Sequence, residues 1–215
     1  IPEARADLVA RVAAMADALD ARLDAPLNPV GIFYDLAFRT TRQDHAAGFD
    51  AFLAELRAAM PNRHHTINGL WTKIENVQTQ RYAVRQASGA MIEYFGMRPS
   101  TGTGNWADDV QPYLDAIEAD PVTHWEVYGR WPWDASQWPH TQAQWGLYLY
   151  AAYLLAAGPR TSFHYLRTFQ VVANAADALY VVPEQRLPLG SPLGPPTASA
   201  ALRVRVFEQG IVALC

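Results

Sequence analysis

Two short apolar runs in this chain carry a carboxylate at or near their ends. The first is Val30-Gly31-Ile32-Phe33-Tyr34-Asp35, and the second is Gly89-Ala90-Met91-Ile92-Glu93-Tyr94-Phe95. Each is followed by a loop and then a helix-like stretch. In a parallel α/β protein, ligands bind at the carboxyl ends of the strands. An Asp and a Glu placed there on two different strands suggest a general acid/base or nucleophile/acid pair. The plainer reading of each is a strand-end cap or turn residue. It is harder to sustain for both together, because a carboxylate at a buried strand end is costly without a partner or a use.

Other residues have weaker claims. Asn68, in Thr66-Ile67-Asn68-Gly69-Leu70, sits near the end of a strand-like run and can hold Asp35 or Glu93 or hydrogen-bond a hydroxyl; an Asn-Gly turn is the alternative. Glu126 and Arg130 fall on one face of a strand beginning at His124. Glu126 is the rival carboxylate to Glu93, or one half of a salt-bridged core position. His164 and Tyr165 end the last strand, as ligand contacts or as core. His64 and His65 are adjacent, so they point to opposite sides of an extended chain and make no joint site. No His-x-x-x-His or Cys-x-x-Cys occurs, so no metal site is expected. Gly102-Thr103-Gly104 is too short a match for a phosphate loop, and no Gly-x-Ser-x-Gly is present, so no cofactor is expected either.

These residues need elements to position them. Residues 3–24 read as an amphipathic helix with Leu8, Val12, Met15, Leu19 and Leu23 as its stripe. Strand-like runs follow at 30–35, 66–70, 90–95, 124–128 and 161–165. Helical patterns lie between them. The first is capped by Asp44 and presents Phe49, Phe52, Leu53 and Leu56. The others cover 76–88, 106–120 (Val110, Tyr113, Leu114 and Ile117 on one face) and 141–157, the last apolar enough to be buried on most sides. Residues 1–182 therefore form the alternating portion. Residues 183–215 are turn-rich and end in a β-hairpin, 201–207 with 211–214, packed on it. Alternation predicts an α/β fold whose strands are parallel and neighbours in chain order. It fits a doubly wound open sheet or part of a (β/α)₈ barrel. A full barrel takes about 250 residues, so this chain supplies about the last five units and three more would precede Ile1.

Half of the 215 residues are hydrophobic and 12% are aromatic, which provides a substantial core and argues against disorder. The net charge is −4, Lys73 is the only lysine and no basic run exists, so nucleic acid is not the expected partner. The longest apolar stretch, 145–157, is too short to span a bilayer and carries three Tyr. The single cysteine, Cys215, leaves no internal disulfide. No signal peptide is visible, and a start at Ile1 rather than Met implies processing or missing upstream sequence.

The pattern resembles the carboxyl-terminal part of TIM-barrel glycoside hydrolases, especially the hypothetical glycosyl hydrolases of bacteria. There the fourth strand ends in Asp, the fifth carries Asn-Gly and the sixth ends in Glu. Here these positions look like Gly31–Asp35, Asn68-Gly69 and Gly89–Glu93. Residues 142–157 and 161–165 look like the last helix and strand. Leu189-Gly190-Ser191-Pro192-Leu193-Gly194, followed by Arg203–Gly210, resembles the ending of such enzymes. The chain departs from the pattern by closing on Ala213-Leu214-Cys215 and by lacking the first three strands.

The resemblance implies a glycosidase with a carbohydrate substrate, an extracellular or periplasmic setting, no cofactor, and further polypeptide completing the barrel. Asp35 then matches the nucleophile or electrostatic stabiliser and Glu93 the acid/base. Apolar neighbours in sequence suit Glu93 to the acid role, whereas an ion pair with Arg98 or Arg130 would not. Trp71, Trp106, Trp131, Trp133 and Trp138 lie in or beside the loops after strands, where aromatic faces stack on sugars or simply pack the loops. The alternatives are a non-catalytic carbohydrate-binding or structural protein on the same fold, and an unrelated open α/β enzyme. Asp35 and Glu93 should open on one face with carboxyl groups about 5–10 Å apart.

Overall fold

The computed structural model describes residues 2–23, 31–34, 43–68, 87–96, 110–131, 140–166, 181–199 and 202–215. Five strands form one sheet: β1 (Ile32–Tyr34), β2 (His65–Asn68), β3 (Gly89–Phe95), β4 (His124–Arg130) and β5 (Thr161–Leu166). They pair in the order β1-β2-β3-β4-β5, and every pairing is parallel. This is the expected order and direction. The fold is α/β, and among the described residues the five-stranded parallel sheet is open rather than closed on itself.

Alternation along each strand separates two unlike faces. One carries Ala90, Ile92, Trp125, Val127, Phe163 and Tyr165, all buried, and packs on two helices. The first of these, α3 (Gln111–Ala119), buries Tyr113, Leu114, Ala116 and Ile117, close to the face read from the sequence. The second, α4 (Gln142–Ala156), begins at a capping box: the Thr141 hydroxyl accepts from the Gln144 amide at 3.2 Å, and the Gln144 side chain accepts from the Thr141 amide at 2.8 Å. Leu149 and Ala152 on α4 are fully buried, and a leucine so placed contributes about 1.5–3 kcal/mol. Gly129 on β4 makes room for this packing, since a Cβ there would lie 2.8 Å from Leu149 and 3.2 Å from Phe163.

α1 (Pro2–Leu23) and α2 (Gln43–Ala59) cover the β1–β2 end. α2 starts at Gln43, so Asp44 lies inside its first turn rather than at the cap. The expected stripe of α1 is out of phase. Val9 and Ala16 are buried with Leu56 and Met60, whereas Leu8, Met15 and Leu19 are exposed. Small side chains let α1 approach α2 closely. Arg5 with Glu55, and Arg63 with Asp17 and Asp20, fix its rotation.

The tail forms an antiparallel sheet of β6 (Thr197–Ser199), β7 (Leu202–Phe207) and β8 (Gly210–Leu214). The hairpin was expected and β6 was not. Phe207 and Val212 join the core beneath α4. Arg205 pins this sheet to the helix: its Nη1 donates to the carbonyls of Leu154 (3.0 Å) and Ala157 (2.7 Å), at the end of α4. No described helix is long and apolar enough to cross a membrane.

Candidate active site

The second face of the sheet is polar. Register places Thr66 and Asn68 of β2, Met91 and Glu93 of β3, His124, Glu126, Tyr128 and Arg130 of β4, and Ser162 and His164 of β5 on it. Met91 lies opposite both Asn68 and Glu126, and Tyr128 lies opposite His164. Along β3 the register slips: Ile92 pairs with Val127 but Phe95 pairs with Gly129, so β3 spends one more residue than β4. This bulge turns Phe95 to the helix side, where it is fully buried against Tyr113, and leaves Glu93 on the polar side near the carboxyl end of its strand.

Glu93 accepts two hydrogen bonds from the flanking strands. Asn68 Nδ2 donates to Oε2 at 2.9 Å, and Arg130 Nη2 donates to Oε1 in an ion pair. The Arg130 side chain is 4% exposed and that of Glu93 is 18% exposed. The backbone of Arg130 is held from the other side, because Trp145 Nε1 on α4 donates to its carbonyl at 2.8 Å. The apolar surroundings expected from sequence are thus only partly present. Ile92 and Phe95 belong to the opposite face, and the ion pair with Arg130, the competing expectation, is what forms.

Further along this face, the rings of Tyr128 and His164 stack with centroids 4.8 Å apart. The Tyr128 hydroxyl is pushed above the usual tyrosine value, chiefly by burial and then by the charge of Glu126 and a hydrogen bond to it. Toward the amino ends, His64 meets His124 edge-on at 5.8 Å. Burial lowers His64 most, His124 and His65 lower it further, and Glu126 opposes them. Gly89 leaves room for this ring, since a Cβ there would lie 2.7 Å from His64 Nε2 and displace it.

His65 faces the helices, as alternation requires. Its Nε2 donates to the Met60 carbonyl (3.1 Å), so its Nδ1 accepts from the Tyr34 hydroxyl at 2.6 Å. Burial lowers His65 and pushes Tyr34 up to about 12. Among the described residues, no group of three or more His, Cys, Asp or Glu is placed to hold a metal ion.

Of the residues singled out from sequence, Glu93, Asn68, Arg130, Glu126 and His164 share the polar face. Tyr165 and Trp131 do not join them. Tyr165 alternates with His164, faces the helices and is 1% exposed; Trp131, one step beyond Arg130, packs against the helix-side core. Asp35, Trp71, Trp106, Trp133 and Trp138 lie outside the described residues. Tyr128 and His124 were missed. An aromatic or a lone His within a strand reads as core, and only the parity with Glu126, two residues from each, pointed to this face. An apolar groove of about 440 Å³ between α4 and the tail, lined by Leu147, Tyr148, Leu187 and Leu214 among others, shares no residue with the polar face.

A polar sheet face with an anchored carboxylate near the strands' carboxyl ends is a place for acid–base or nucleophilic chemistry on a bound ligand. None of the curated proteins matches the chain. A family model matches residues 14–211, nearly the whole length, and by that match the chain belongs to hypothetical glycosyl hydrolase family 15.

Proposed function

We propose that this protein hydrolyses a glycosidic bond with two carboxyl groups, Glu93 and Asp35. Family membership supports the reaction class. The observation that carries the residue assignment is Glu93 itself: a carboxylate on the sheet face opposite α3 and α4, near the carboxyl end of β3, accepting from Asn68 and Arg130. Asp35 directly follows β1 in the chain, and β1 is separated from β3 only by β2. Two carboxyl groups flanking one bond divide the work: one protonates the leaving oxygen, and the other attacks the anomeric carbon or activates a water.

Glu126, Tyr128 and His164 supply donors and acceptors for sugar hydroxyls along the same face. Trp71, Trp106 and Trp133 are the proposed stacking surfaces. The five parallel strands are, in this reading, the last five of an eight-stranded barrel. Further polypeptide then supplies three units and covers the edges of β1 and β5, which an open parallel sheet leaves bare.

The test is a panel of α- and β-nitrophenyl glycosides together with plant and bacterial polysaccharides. The expected result is cleavage by the parent, and turnover lower by about 10²–10⁴-fold in Glu93→Gln and in Asp35→Asn. Binding of sugars without cleavage across the panel would replace this reading with a non-catalytic carbohydrate-binding protein. For the barrel, sedimentation of the 215-residue chain alone should show association or instability; a monomer that unfolds cooperatively would refute a missing wall.

A further inference from the structure

We infer that Glu93 enters the reaction as the ionised partner, and that Arg130 and Asn68 are positioning residues that keep it so. This reverses the role that the family resemblance implies, and it rests on the glycosidase reading above. A general acid must carry a proton on one carboxyl oxygen and aim it at the leaving group. Both oxygens of Glu93 instead accept, Oε1 from a guanidinium and Oε2 from an amide. These are bonds a carboxylate makes, and donors that are themselves immobile select against the acid form. Immobility is built in. Arg130 is buried, its carbonyl is held by Trp145 of α4, and Asn68 closes β2 with 4% of its surface exposed.

Each carboxylate oxygen keeps a further lone pair, so the anchoring leaves Glu93 able to react. In a retaining course, an oxygen lone pair forms the bond to the anomeric carbon as the glycosidic C–O bond breaks, and the leaving oxygen takes its proton from the other carboxyl. Water then adds at that carbon, gives its proton to the same carboxylate, and the glycosyl ester cleaves to restore Glu93. In an inverting course, Glu93 takes the proton of the attacking water instead. In both, Glu93 starts without a proton and the protonating group is the second carboxyl.

Leaving-group dependence separates the roles. A dinitrophenolate leaves without protonation, whereas a methoxide does not. For the parent, Glu93→Gln, Asn68→Ala, Arg130→Met and Arg130→Lys, kcat and KM are measured on dinitrophenyl and methyl glycosides of the panel sugars, and the two leaving groups are compared in kcat/KM, which stops at the first bond cleavage and is blind to the later attack of water. The expected result is that Glu93→Gln loses about 10²–10⁴-fold on both substrates. Arg130→Met lowers kcat more than it changes KM on both substrates. Arg130→Lys, which keeps the charge, restores part of that loss.

A Glu93→Gln variant that stays within tenfold of the parent on the dinitrophenyl glycoside but fails on the methyl glycoside makes Glu93 the acid and overturns the inference, while the glycosidase reading stands. A parent that cleaves neither overturns that reading itself. If Glu93→Gln does not fold, Asn68→Ala answers the same question: both substrates slow alike if Glu93 is ionised, and only the methyl glycoside slows if it is the acid.

Discussion

Removing both members of the Glu93–Arg130 pair should cost far less than the two single removals add up to. Arg130→Met leaves a carboxylate that is 18% exposed and still accepts from Asn68; about 2 kcal/mol is expected. Glu93→Gln leaves a guanidinium side chain only 4% exposed without its carboxylate. Breaking a buried pair from one side costs about 3–5 kcal/mol, and the lower end applies because Gln keeps a carbonyl acceptor at the same place. The double variant carries no buried charge at this position, so its cost should be about 2 kcal/mol rather than the sum of about 5, an interaction energy of about 3 kcal/mol at the top of the range for contacting residues. Urea unfolding of the four proteins, extrapolated linearly, measures it. The difference between Glu93→Gln and the double variant would also appear as a rise of roughly 2–4 °C in Tm for each kcal/mol recovered. Additivity within about 0.5 kcal/mol would refute the pairing as a desolvated contact and, with it, the fixed position that the inference on Glu93 requires.

Three further outcomes follow from particular contacts. Gly96 has φ +78°, and a Cβ there would lie 2.2 Å from Leu149 Cδ2, so Gly96→Ala should destabilise by about 2–4 kcal/mol in thermal or urea melts; a loss under 0.5 kcal/mol would contradict it. Arg205→Met removes the donors on the Leu154 and Ala157 carbonyls and should cost about 1.5–3 kcal/mol while exposing β6–β8 to limited proteolysis. Arg205→Lys should restore resistance only in part, because one ammonium can donate to both carbonyls as Nη1 does but has no second nitrogen for the Gly194 carbonyl that Nε reaches at 3.1 Å. His65 is lowered by burial, so above about pH 6.5, the ordinary histidine value, it is neutral folded and unfolded and stability is flat. As pH falls below that value the unfolded chain takes a proton that the folded state refuses, and stability declines by up to about 1.4 kcal/mol per pH unit until the folded value is reached. His65→Gln should flatten this slope, and an unchanged slope would assign the acid sensitivity to other groups.

The strands were legible because each is a short apolar run between breakers, and observed bounds such as His124–Arg130 and Thr161–Leu166 lie within a few residues of those expected. Their order and direction followed from helices between them, since a helical crossover returns the chain to a parallel neighbour. The phase of α1 was not legible. Its sequence offers large residues at Leu8, Met15 and Leu19 and small ones at Val9, Ala13 and Ala16, and periodicity alone favours the larger. Close approach to α2 selected the smaller.

The site was half legible for a related reason. Type and strand position marked Glu93, Asn68 and Arg130, but pairing between strands is not written in any one of them. Glu93 alternates with Ile92, which pairs regularly with Val127, so it faces the polar side; whether Phe95 joins it there depends on a single extra residue in β3 relative to β4. Without that bulge, Phe95 would share the polar face with Glu93, because residues two apart in a regular strand point the same way. The bulge separates them, so no phenyl ring from Phe95 lies beside the carboxylate on this face. The apolar sequence neighbours of Glu93 thus say little about its spatial ones, which are an amide and a cation from the flanking strands. A deletion that straightened β3 between Ile92 and Phe95 would bring Phe95 to the polar face beside Glu93, and it should lower activity even with Glu93, Asn68 and Arg130 all retained.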